Sequence, residues 1–127
     1  MKKSLLAVAV LAIFATAVVS VSAAPKPVKG ILIGQIVELT TLSMTGDVKT
    51  NLETAKSRAE HGFPVGLIEE ETGTVWMLAY RSAAPASHLE VANKHVQEYM
   101  GMKVVMQGLQ YKNGGVNTIR FTTVSEY

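Results

Sequence analysis

The sequence contains no cysteine. That absence excludes disulfides, thiolate nucleophiles, Cys-ligated metal and a lipid anchor on an N-terminal cysteine, so any exported domain here is held by packing alone. No G-x-G-x-x-G or Walker pattern occurs, so no glycine loop cradles a phosphate chain. Ser43, Ser57, Ser82, Ser87 and Ser125 all lack the Gly-x-Ser-x-Gly context of an activated serine. Long apolar runs are also scarce. The one candidate, Ser4 to Val19, is too short and too rich in alanine to read as a membrane span.

That run instead follows a basic start, Met1-Lys2-Lys3, and precedes Val21-Ser22-Ala23. A charged start, an apolar middle and small residues at the end are the pattern of a secretory signal peptide, with cleavage expected after Ala23. Removing 1–23 from the 127 residues leaves 104, enough for one domain with its own core. Lys2 and Lys3 leave with the signal and no acid does, so ten basic residues then face ten acidic ones. A neutral domain gains little from counterion release on nucleic acid and carries no polybasic tract for anionic lipid. The expected partner is therefore a small molecule or a protein, with no nucleic acid and no membrane after signal cleavage. Periplasmic or secreted localisation follows from the same segment.

Ala24 to Lys29 is a Pro/Lys leader, and 30–127 is the expected folded domain. Gly30 to Thr41 alternates as a first strand, with Ile33, Val37 and Leu39 on one face and Gly34 marking a bulge or bend. Leu42 to Lys49 reads as a connection turning at Gly46-Asp47. Thr50-Asn-Leu-Glu53 is a capping box opening a helix over Asn51–His61, with Leu52, Ala55 and Ala59 as its apolar stripe and Gly62 as its stop. Phe63–Ile68 and Thr74–Tyr80 form a hairpin about the Glu69–Gly73 turn. Trp76, Leu78 and Tyr80 share one face of its second strand. Ser87-His-Leu-Glu90 caps a second helix striped by Leu89, Ala92, Val96 and Tyr99 and stopped at Gly101. Lys103–Gln110 and Val116–Val124 flank Asn113-Gly-Gly115, a strong hairpin signal. The order β-α-β-β-α-β-β fits a five-stranded OB-like Greek-key barrel, an all-β or α+β fold with two helices. The rival is an open α+β sheet with both helices on one face.

The stretches "GQIVEL", "HGFPVGLI", "GTVWML" and "GMKVVMQGLQYKNGGVNTIRFTTV" resemble a group of small secreted bacterial OB-fold domains of uncharacterised function. The likeness spans nearly all of the mature chain and rests on structural glycines and apolar alternation. More distantly, the chain is similar to bacterial OB-fold periplasmic stress proteins. Many members of the first group carry Cys and His around the first helix, and this chain has no Cys. The resemblance implies a small exported domain that binds rather than catalyses.

Site candidates follow from chemistry. OB barrels commonly bind through strands two and three and the flanking loops. That points to Trp76, Tyr80 and Arg81, with Tyr111 and Arg120 near the last hairpin as a second aromatic–cation pair suited to stacking. Trp76, on the chain's most apolar strand, reads first as core. No catalytic residue and no cofactor are expected. The alternative function is metal handling, with Met100, Met102 and Met106 as thioether ligands beside His95, or as core and helix-closing residues; Met77 is the remaining methionine of interest. His88 and His95 lie about 10 Å apart along one helix and cannot chelate one ion unaided. His61 suits a helix C-terminus. Glu69, Glu70 and Glu71 read as a solvated hairpin tip.

Overall fold

The computed structural model describes residues 26–47, 52–81 and 91–127. The expected signal peptide, the expected capping residues Thr50 and Ser87, and His88 lie outside them. Five strands lie among the described residues: β1 (Val28–Glu38), β2 (Val65–Glu69), β3 (Val75–Tyr80), β4 (Lys103–Asn113) and β5 (Val116–Glu126). They close into a barrel in the order β1-β2-β3-β5-β4, with β4 returning to β1. Every pairing is antiparallel except that of β3 with β5. The closed barrel excludes the open sheet.

Closure depends on β1 serving two partners. Its residues 28–35 pair with β4 and its residues 34–38 pair with β2. Gly34 stands at the changeover, opposite both Glu69 and Val104. A Cβ there would sit 2.0 Å from the Ile68 carbonyl oxygen. Only glycine lets the two strands approach so closely, and this is the bend expected from its place in the strand.

Three helices are described, one more than expected. α1 (Leu39–Thr45) follows β1 directly, α2 is Leu52–Glu60, and α3 is Ala92–Val96, extended by a 3-10 turn over Gln97–Tyr99. α1 corrects the reading of Leu39 to Thr41 as strand. Its cause is local. Glu38 ends β1 and caps the helix, accepting from the amides of Thr40 at 2.8 Å and Thr41 at 2.7 Å. Glu38 itself is buried. The inward phase of β1 is Leu32, Gly34 and Ile36, one residue out from the Ile33–Val37–Leu39 set; Val37 is buried too, outside the main cluster. In an apolar run such as Ile31 to Ile33, alternation alone does not fix the phase. The strand also starts earlier than expected, taking Val28 and Lys29 from the leader.

The interior is filled by Leu32, Ile36, Leu67, Trp76, Val104, Met106, Ile119 and Phe121, with Ala55, Ala59, Val96 and Met100 closing it from the helices. Each large side chain of this set contributes about 1.5–3 kcal/mol through burial. Asn93 ties the helices together. Its buried amide donates to the Ala59 carbonyl at 2.8 Å and to the Phe63 carbonyl at 2.6 Å.

Candidate functional site

The last hairpin fixes the site. Arg120 of β5 stands opposite Leu109 of β4 and beside Ala79 of β3, while Leu109 stands opposite Lys29 of β1. These four residues form one row across the outer wall of the barrel. Neighbouring strands lie about 4.8 Å apart, so Leu109 separates Lys29 from Arg120 by two such steps. Arg81 comes immediately after β3, its amide donating to the Phe121 carbonyl at 3.2 Å. A groove of about 420 Å³ lies between Lys29, Arg81 and Arg120, over Gly108 and Leu109.

The floor of this groove is a bulge. The β4–β5 register shifts between Gln107 and Gly108, leaving Thr122 as the extra residue of β5. A Cβ on Gly108 would meet the Arg120 carbonyl oxygen at 2.3 Å. The glycine therefore lets β4 and β5 stay close at the bulge.

Charge sets this groove apart. Among the described residues, no ion pair joins Lys29, Arg81 or Arg120 to a carboxylate. Both arginines instead lie over tyrosines, Arg81 at 5.2 Å from the centre of Tyr80 and Arg120 at 5.8 Å from that of Tyr111. Arg81 is also the one non-glycine residue with positive φ, at 22°, among the described residues. Such backbone costs roughly 1–3 kcal/mol, and residues held that way cluster at binding and catalytic sites.

Two further hollows adjoin. One of about 380 Å³ lies between Tyr111, Val116 and Arg120, so Arg120 stands between it and the groove. The other, about 320 Å³, is bounded by Tyr80, His95 and Thr122, and Thr122 also borders the groove. Tyr80 stacks on His95 with ring centres 3.6 Å apart and leans on Phe121 at 5.2 Å.

No family model, characterised protein or solved structure matches this chain.

Arg81 and Arg120 thus share the groove and Tyr111 lies beside Arg120, whereas Tyr80 packs inward on His95 and Phe121. Trp76 does not line the groove: it is 2 % exposed, inside the barrel, with Lys112 5.6 Å from its ring centre. No residue of β2 lines the groove. Met100 and Met106 are core residues, Met102 is half-buried just before β4, and His95 is engaged with Tyr80. Met77 lies exposed on the outer wall. Among the described residues no three His, Asp or Glu gather as metal ligands. His61 closes α2, its Nδ1 2.7 Å from the Ser57 carbonyl oxygen. At the hairpin tip Glu70 pairs with Lys103 at 2.9 Å, Glu69 accepts from the Thr72 hydroxyl, and Glu71 is exposed.

The reading from sequence missed Lys29, Gln107, Leu109 and Thr122. Lys29 was assigned to the leader because Pro and Lys dominate 25–29. What makes it part of the site is the register of β1 on β4, which no local pattern encodes.

Proposed function

We propose that this chain is an exported binding module of the bacterial envelope, which recognises a ligand on the β1-β4-β5-β3 wall and does not transform it. Export rests on the basic start, apolar run and small-residue ending of residues 1–23. The strand order 1-2-3-5-4, closed by β1 and β4, suits an OB-like Greek-key barrel, a frame widely used for binding.

One observation carries the binding reading: Lys29, Arg81 and Arg120 converge on one groove, and among the described residues no carboxylate pairs with them. Fold stability alone gives no reason to gather three like charges. The groove volume falls in the range of small-molecule sites. The side chains beside the cations are Gln107, Leu109 and Thr122, which include no general base and no activated nucleophile.

The test is an amide-shift titration of the isotope-labelled protein against a library of small metabolites, run beside a hydrolase substrate panel. Shifts confined to residues around Ala79, Gly108 and Arg120, without turnover, are expected. Shifts elsewhere, or turnover abolished by one substitution in the groove, would sink the reading.

A further inference from the structure

We propose that the groove between Lys29, Arg81 and Arg120 takes a phosphate ester, with the anion on the three cations and its organic part against Leu109 and Tyr111. The inference rests on the binding-module reading and deepens it.

The donor set comes from three different strands or strand ends. Lys29 approaches from β1, Arg120 from β5 and Arg81 from beyond β3, so the charges surround the Gly108–Leu109 floor rather than line up along one edge. Two guanidinium forks and an ammonium approaching from three sides match a tetrahedral oxyanion, whose several oxygens accept from different directions. A carboxylate offers two oxygens in one plane and a single charge. A phosphomonoester carries close to two charges at neutral pH, nearer the three it would meet.

The tyrosines strengthen this assignment. Tyr80 and Tyr111 each lie beneath a guanidinium, which limits the freedom of both arginines before any ligand arrives. Arg81 follows Ala79 by two residues, on the same outer side of the wall, and holds a positive φ of 22°. The hollow beside Tyr111 gives the organic part a place adjoining Arg120. The wall's three cations form a compact patch rather than a long track, which suits one phosphate group better than a nucleic-acid backbone.

Isothermal titration and amide-shift mapping on the purified chain test this, with glucose 6-phosphate as probe, glucose and glucuronate as comparators, and vesicles of phosphatidylglycerol against phosphatidylcholine. Glucose 6-phosphate should bind on groove residues, with glucose and glucuronate at least ten-fold weaker. Arg81→Gln or Arg120→Gln should each weaken binding about ten-fold or more, the size expected for a charge-assisted hydrogen bond. Lys112→Gln, at a cation that lies over the Trp76 ring and lines neither the groove nor the hollow beside Tyr111, should leave binding unchanged. If an arginine variant fails to fold, Lys29→Gln supplies the same readout. Binding to phosphatidylglycerol vesicles alone, lost with the same variants, would place the phosphate on a lipid headgroup and support the assignment. Equal or tighter binding of glucuronate, or phosphate binding indifferent to all three cations, would overturn it. Should neither phosphate probe bind while a neutral compound shifts groove residues, the phosphate assignment falls and the binding-module reading survives. If nothing shifts the groove, both fall.

Discussion

Arg58 reaches from α2 to the buried carboxylate of Glu38, its Nη1 3.9 Å from Oε2. The same nitrogen donates to the Thr41 hydroxyl at 3.0 Å, and that hydroxyl donates to Glu38 at 2.5 Å. The ion pair is loose, whereas the hydrogen bonds are short. Burial by itself raises the Glu38 pKa, but the bonds from the Thr41 side chain, the Thr41 amide and Thr40 outweigh it and hold the group below its ordinary value. Hydrogen bonds to the charged form, rather than Coulomb attraction, keep this carboxylate ionised.

Stability should therefore fall in mild acid through Glu38. A depressed carboxylate contributes fully above its unfolded pKa, about 4.3, and that contribution is lost as pH falls through the lower folded value. Glu38→Gln removes the charge and points donors at donors, costing about 1–3 kcal/mol at pH 7. Urea unfolding between pH 7 and pH 3 should show the wild type losing its advantage over Glu38→Gln. A constant gap across that range would refute the account.

Gly34→Ala should be severely destabilising, by about 3 kcal/mol or more, because its Cβ meets the Ile68 carbonyl oxygen. The measurement is the urea midpoint together with hydrogen exchange of the β1–β2 amides. Near-wild-type stability would mean that the crossing strands can separate without cost.

Removing the Asn93 amide should loosen the helices without opening the barrel. Asn93→Ala leaves the Ala59 and Phe63 carbonyls without their donor, at a cost of about 1–3 kcal/mol. Exchange should speed up in α2 and α3 and stay slow in β4 and β5. Uniform acceleration through the barrel would contradict this division.

Trp76 should emit at short wavelength and resist acrylamide, being enclosed in the core. Its Nε1 has no hydrogen-bond partner among the described residues. Trp76→Phe therefore removes an unpaired donor along with some packing, and should cost less than the roughly 3–5 kcal/mol of a truncation to alanine. Strong quenching in the wild type would place the ring at the surface.

The groove should trade stability for its charge. Arg81→Gly relieves a positive φ and removes one of three neighbouring cations, so stability should hold or rise by up to about 1 kcal/mol. A loss larger than that, measured by thermal unfolding, would show that Arg81 supports the fold.

Much of the barrel was legible from residues alone. The hairpins about Gly73 and Gly114-Gly115, the α2 stripe of Ala55 and Ala59, and the inward face of Trp76, Leu78 and Tyr80 all follow local rules. α1 was hidden because its cap is a glutamate ending a strand, outside the usual Ser, Thr, Asp or Asn set. The inward phase of β1 was hidden because Ile31, Leu32 and Ile33 are equally apolar. The groove was half visible. Arg81 and Arg120 stood out beside aromatics, but their convergence with Lys29 depends on the pairing of Lys29 with Leu109, 109 − 29 = 80 residues away.

The parallel partnership of β3 with β5 carries a liability for the chain. β5 is the final strand, and it alone covers one edge of β3 and one edge of β4. Clipping the polypeptide at the Gly114-Gly115 turn would strip both edges at once and leave two rows of free amides and carbonyls. Such a fragment would act as a template for its own kind, so damage at this one turn would convert a closed barrel into a seed for aggregates.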